Sequence, residues 1–270
     1  MKTLGLSIAI GVGDAIFISA AINNIKQNYD NIYLNPLLEL AETYKNNGIE
    51  YSEFFLNFLR LLCFDSKYII NDKSKSFPFV PTENLFNNIT PVVPRFSIQL
   101  HCDNYIPISE EYIVITTKIR QLHINLYKKT KDSLLNSLNK LSEKYKIVIL
   151  GEREIEINNE YSHYGSKHIY NIYKDLITVN NILDLTIPKL GITVPNINQL
   201  KKDCTIMNKA KCVITLGCGG NFALASATAE KLIAYRNDDY KFVDVIFKNN
   251  KDLILTNNNL SFIKHLNGLI

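Results

Sequence analysis

Apolar residues along this chain fall into short unbroken runs, separated by stretches whose apolar positions recur at helical spacing. Residues 3–10 (TLGLSIAI) are such a run, the kind of strand that is buried on both faces in a parallel sheet. GVGD at 11–14 follows as a tight turn, and residues 15–28 carry Ile16, Phe17, Ala20, Ala21 and Ile25 at helical spacing. NIYLN at 31–35 is the next strand. This is a βαβ opening, with its turn at the carboxyl end of the first strand, where open α/β sheets bind ligands. Residues 36–62 read as helical, and 72–96, with Pro78, Pro81, Pro91 and Pro94, as loop.

A polar stretch at 103–111 marks a domain boundary, and a second α/β series begins beyond it. Strands are expected at 112–117 (YIVITT), 146–151 (KIVILG), 211–217 (KCVITLG) and 232–235 (LIAY), with 168–173 and 242–247 as further candidates. Helices are expected over 128–145, 198–210 and 222–231, and an amphipathic one over 260–270. Strand and helix alternate twice, which predicts an α/β fold of two Rossmann-like domains facing a cleft. The first spans 1–107 and the second 108–270, with the last helix available to pack back on the first domain.

Composition narrows the function classes. With 46% hydrophobic and 21% charged residues in 270, the chain can bury cores and is not a disordered one. Thirty basic against 26 acidic residues leave +4, spread without a basic block, so nucleic acid is not an expected partner. Only five residues are Arg, while 32 are Asn, so lone Asn or Lys residues say little and each Arg and Gly says more. Cys63, Cys102, Cys204, Cys212 and Cys218 contain no CxxC, and the five His residues lack metal spacing. A cytoplasmic protein without disulfides, bound metal or cofactor is the expectation. Lys2 and the apolar run after it have the letters of a signal peptide, but Gly11, Gly13 and Asp14 interrupt them, and a strand–turn–helix accounts for the same residues. No other stretch reaches the roughly 20 apolar residues of a membrane-spanning helix.

Four constellations carry candidate chemistry, each where a strand ends. Gly11 and Gly13 let the backbone turn and a ligand approach, ahead of a helix amino terminus that favours an anion. Asp14 serves there either as helix cap or as functional carboxylate. Ile16 stands where a dinucleotide fingerprint needs a small residue, which argues against NAD. Thr116, Thr117, Lys118 and Arg120 combine hydroxyls and cations, as a diphosphate needs. Gly151 with Glu152 and Glu154 places carboxylates where a ribose is held, or forms an exposed charged turn. Gly217, Gly219, Gly220 and Asn221 open a helix of small residues, and their amides can cradle phosphate oxygens. Cys218 reads as a small turn residue.

Taken in order, these pieces resemble the GT-B glycosyltransferases, most closely the heptosyltransferase-like family 9. GVGDAIFISAAINNIKQNYDNIYL resembles the family's opening, ITTKIR and VILGERE its donor-side strands, and AKCVITLGCGGNFALASATAEKLIAY its carboxyl-terminal signature. The resemblance implies transfer of a sugar from a nucleoside diphosphate sugar to an acceptor hydroxyl, without a metal. It implies Asp14 as general base, Thr116, Thr117 and Lys118 or Arg120 on the diphosphate, Glu152 or Glu154 on the ribose, and 217–221 facing the donor. The acceptor would be a glycan, a lipid-linked sugar or a protein; peripheral membrane association and oligomeric state are left open. Two departures stand out: Gly217 where the family has Asp, and Phe222 where a His commonly follows. A catalytically silent nucleotide-sugar-binding protein and a nucleotide-sugar epimerase are therefore alternative readings.

Overall fold

The computed structural model describes residues 1–8, 12–36, 58–59, 62, 69–70, 77, 108–120, 124–155, 169–190, 197–217, 219–235 and 252–270. The expected strand at 242–247, most of the helix at 36–62 and all of the 72–96 loop except Phe77 lie outside them. Two compact units divide the chain. One is Met1–His101 with Ile192–Leu200 and Lys241–Asn249; the other is Cys102–Gly191 with Lys201–Tyr240 and Asn250–Ile270.

In the first unit, β1 (Thr3–Ile8), α1 (Val12–Ile25) and β2 (Asn31–Pro36) form the expected βαβ, and β3 (Ile69–Ile70) adds a third parallel strand in the order β1-β2-β3. The helix starts three residues earlier than its apolar spacing suggested, so Gly13 and Asp14 belong to its first turn. Its residues 15–19 are all buried, enclosing the helix on every side rather than along one stripe. Buried Ser19 is accommodated because its hydroxyl donates to the Ile16 carbonyl at 2.7 Å. Gly5 is required by close packing: a Cβ there would collide with the Phe77 ring. That ring stacks on Tyr33, and the Phe77 carbonyl accepts from Ser7 Oγ at 2.8 Å.

The second unit holds β4 (Tyr112–Arg120), α2 (Ile124–Ser142), β5 (Lys146–Leu150), β6 (Glu152–Ile155), β7 (Ile169–Asn171), α3 (Tyr173–Leu176), β8 (Ile182–Asp184) and β9 (Ile187–Leu190). α4 (Ile197–Lys209), whose first residues fall in the first unit, is followed by β10 (Cys212–Leu216), α5 (Gly219–Thr228), β11 (Lys231–Tyr235), β12 (Asp252–Thr256) and α6 (Asn259–Asn267). Six strands pair in parallel in the order β12-β11-β10-β4-β5-β8. Numbered along the chain, that order is 3-2-1-4-5-6, the doubly wound arrangement whose direction reverses between its first and fourth strands. Here the reversal falls between β4 and β10. The short strands β6, β8, β9 and β12 have no counterpart in the sequence expectations.

On one sheet face, Leu134, Leu138 and Leu141 of α2 and Phe262 and Leu266 of α6 pack on Ile113, Ile115, Ile147, Ile149, Ile214 and Ile233. The last helix is seated on α2 and β11, with Ser137 Oγ donating to Asn267 Oδ1 at 2.9 Å. Asn258 caps it, its side chain accepting from the amides of Leu260 and Ser261. The small-residue helix α5 packs on β10, β11 and β4. Among the described residues, no helix is long and apolar enough to cross a membrane.

Asp175 of α3 ties that helix to α2, accepting from Tyr127 Oη and Lys131 Nζ, each at 2.5 Å. Burial pushes its carboxyl up, but the hydrogen bonds from Lys131 and Tyr127 and the Lys131 charge outweigh burial and hold it below the ordinary 3.8. A carboxyl lowered in the folded state contributes stability above its unfolded value and loses it as the pH falls through the folded one. Asp175→Asn should therefore lower the urea midpoint at neutral pH, and the gap to wild type should close as the pH is taken below 3.8. A gap that stayed constant as the pH was taken well below 3.8 would show that the ionised carboxylate adds nothing.

Candidate functional site

The reversal between β4 and β10 places the carboxyl ends of two neighbouring strands where open α/β sheets receive ligands. The two strands do not stay in step. Ile115 pairs with Ile214 and Ile119 with Leu216, so β4 advances four residues while β10 advances two. The surplus is a bulge at 116–118, the Thr-Thr-Lys of the sequence motif. Bulges re-aim side chains and end a regular ladder. From Lys118 onward β4 also pairs antiparallel with β7, with Lys118 opposite Asn171 and Arg120 opposite Ile169. Ile119 also bridges antiparallel to Gly217.

Each hydroxyl of the pair has its own task. Thr117 is wholly buried; its Oγ1 accepts from the Glu152 amide at 3.1 Å and its carbonyl from the Ile172 amide at 2.9 Å. Thr116 is equally buried, and its Oγ1 has no hydrogen-bond partner. Thr215, the one β10 residue between the two register pairs that flank the bulge, has an Oγ1 that likewise lacks a partner. Thr215 was invisible as a site residue in the sequence, where it reads as one more β-branched strand position.

The turn after β5 completes the cluster. Gly151 adopts φ +113°, and a Cβ there would collide with Thr117 Oγ1. Rather than continuing as a charged turn, the chain enters β6, which pairs with β9 and begins at buried Glu152. Lys118 Nζ lies 2.6 Å from Glu152 Oε1, with the two side chains 14% and 10% exposed. Glu152 Oε2 is buried without a hydrogen-bond partner. The Glu152 carbonyl accepts from Asn171 Nδ2 at 2.8 Å, and Asn171 Oδ1 accepts from the Tyr173 amide at 2.8 Å. Asn171 was lost in the sequence among 32 Asn residues.

A second knot braces β6. Arg153 donates to Thr186 Oγ1 at 3.0 Å and pairs with Asp184 at 3.1 Å, and Asp184 also accepts from Tyr173 Oη at 2.8 Å and from the amide and hydroxyl of Thr186. Burial pushes the Asp184 carboxyl up, but the Thr186 and Tyr173 hydrogen bonds and the Arg153 charge hold it below its ordinary value.

Gly217 adopts φ +79°, a left-handed backbone that glycine takes without strain, which accounts for glycine where the family resemblance expects Asp. Gly219, Gly220 and Asn221 form the first turn of α5, where backbone N–H groups have no partner within the helix. Asn221 Nδ2 is buried without a partner, and Phe222 is wholly buried as a core residue. Gly11 and Cys218 lie outside the described residues, and Asp14, Arg120 and Glu154 are described by their backbone alone. The second unit thus brings Thr117, Lys118, Gly151 and Glu152 into direct contact, with Thr116, Thr215 and the α5 amino terminus at the same sheet edge. Gly13 and Asp14 stand at the corresponding strand end of the first unit. Among the described residues, no three His, Cys, Asp or Glu side chains gather closely enough to hold a metal ion.

No protein-family model matches the chain, and no curated protein matches it. Solved structures do. The E. coli ADP-heptose LPS heptosyltransferase II aligns with a TM-score of 0.53 at 13% identity, over 100% of this chain and 98% of that one. A glycosyltransferase family 9 structure from Veillonella parvula aligns with a TM-score of 0.51 at 9% identity, over 100% and 90%. The dodecameric iron-containing heptosyltransferase TibC, solved with ADP-D-β-D-heptose, gives 0.49 at 13% identity, and this chain spans 58% of its length. What the first two share with this chain is the fold: an α/β architecture of the heptosyltransferase-like, family 9 type.

Gly151→Ala should destabilise the protein by about 1–3 kcal/mol, from the strained backbone and the clash with Thr117. Urea denaturation measures it, and a neutral result would remove the Gly151–Thr117 contact as a determinant of the turn.

Proposed function

We propose that this protein is a glycosyltransferase that moves a sugar from a nucleoside diphosphate sugar to an acceptor hydroxyl. The observation that carries the reading is the 3-2-1-4-5-6 strand order, which sets the Thr116–Lys118 bulge and the first turn of α5 where the order reverses, with Glu152 held beside Lys118. Unpartnered hydroxyls and a helix amino terminus at that place suit an anionic donor.

In the proposed step the acceptor oxygen attacks the anomeric carbon of the donor. The new C–O bond forms as the bond from that carbon to the diphosphate oxygen breaks, and the diphosphate leaves with the electron pair. Its charge is met by Thr116 and Thr215 hydroxyls, the amides of Gly219 to Asn221 and Arg120, without a metal. The acceptor's proton passes to Asp14, whose place in the first turn of α1 favours a carboxylate ready to take it. Gly13, and Gly11 before it, keep that turn open to the acceptor. Glu152, or Glu154 beside it, receives the nucleoside. Adenosine diphosphate sugars are the first donors to try, since ADP-heptose is named for the similar E. coli enzyme. The acceptor is proposed to be a glycan, lipid-linked or protein hydroxyl, met in the cytoplasm.

One observation favours a second reading, a nucleotide-sugar-binding protein without transfer. The Ile119–Gly217 bridge and the buried Phe222 occupy the positions where the family resemblance expects donor-holding Asp and His.

A thermal-shift panel of ADP-, GDP- and UDP-sugars, followed by nucleotide release with and without acceptor, tests both. Stabilisation by one donor class and acceptor-dependent release are expected. Asp14→Asn should keep the shift and cut transfer by about 10²–10⁴. Stabilisation without release supports the second reading, no stabilisation overturns both, and unchanged turnover in Asp14→Asn removes that residue from the mechanism.

A further inference from the structure

Glu152 is held from three sides. Its amide donates to Thr117 Oγ1, its carbonyl accepts from Asn171 Nδ2, and its Oε1 lies 2.6 Å from Lys118 Nζ. Gly151 before it has a conformation and a clearance that leave no room for another residue type. One polar atom of Glu152, the buried Oε2, has no hydrogen-bond partner. A buried carboxylate oxygen with an unmatched lone pair is destabilising unless a ligand supplies the missing donor.

Lys118 has a matching history in the structure. It sits in the bulge of β4 with 14% of its side chain exposed, and its charge is set against Glu152 at the shortest distance of any Lys–Glu pair described. The pair is locally neutral, so it adds no net positive charge to attract a diphosphate. The 2.6 Å contact with a buried carboxylate commits the ammonium first to Glu152, since removing the counter-charge from a buried carboxylate is strongly unfavourable.

We infer that Lys118 is a positioning residue: it fixes Glu152 so that Oε2 accepts one hydroxyl of the donor's nucleoside, and it does not contact the diphosphate. This rests on the nucleotide-sugar reading above. It divides the Thr-Thr-Lys motif by role. Thr117 and Lys118 build the nucleoside contact through Glu152, while Thr116 is left for the phosphates.

Calorimetric titration with ADP and adenosine, GDP and guanosine, and UDP and uridine tests the assignment in wild type, Lys118→Met, Glu152→Gln and the double variant. Lys118→Met should weaken the nucleoside diphosphate and its bare nucleoside by the same factor, roughly tenfold. The double variant should be no weaker than Glu152→Gln alone, and Lys118→Arg should restore most of the affinity. If Lys118→Met does not fold, the double variant, with no charge at either site, carries the test: its preference for diphosphate over nucleoside should equal that of wild type. A loss confined to the diphosphates, or losses that add in the double variant, would overturn the inference while leaving the nucleotide-sugar reading intact. Failure of the wild-type protein to bind any of the six compounds would overturn that reading, and the inference with it.

Discussion

The second unit depends on how β4 keeps its backbone paired beyond the point where its neighbours stop. A buried strand cannot leave N–H and C=O groups unmatched. β10 ends at Leu216 and β5 at Leu150, yet β4 runs on to Arg120. The surplus at 116–118 absorbs the mismatch, β7 supplies antiparallel partners, and Gly217 supplies a bridge. Every unusual feature of the candidate site follows from that handover. Two hydroxyls are buried at the strand end, and a lysine is turned inward. A glycine is forced left-handed on each side, at Gly151 and Gly217.

Charge in this unit is placed by the same logic. Asp175 is matched by Lys131, Asp184 by Arg153 and Glu152 by Lys118. Two of these pairs sit beside hydroxyl donors that complete the carboxylate's hydrogen bonds: Tyr127 for Asp175, and Tyr173 with Thr186 for Asp184. The third does not. Glu152 keeps one oxygen without a partner, which sets it apart from the two bracing carboxylates.

Much of the fold was legible in the residues. The runs read at 3–10, 31–35, 112–117, 146–151, 211–217 and 232–235 each hold a strand among the described residues, since strands inside a parallel sheet call for near-continuous apolar residues. The leucine stripe of α2 and the apolar positions of α6 likewise marked their buried faces. The ends of elements were less legible. α1 and α5 each begin three residues before their expected start, since glycines look like loop in a sequence yet fit the first turn of a helix as well as the turn before it. The motif residues around 116 and 152 were visible, but their partners were not. Asn171, Thr186 and Asp184 are ordinary letters until the chain folds them against Glu152 and Arg153.

The sequence by itself determined the layered α/β class and the strand ends at which glycine, hydroxyl and charged residues collect, because periodicity and backbone freedom are local properties. Only the tertiary structure decided which strand ends are neighbours, that β4 bulges there, and that Lys118 faces Glu152. Those depend on strand order and on the pairing of buried groups far apart in the chain, and such pairing is settled by the whole sheet at once.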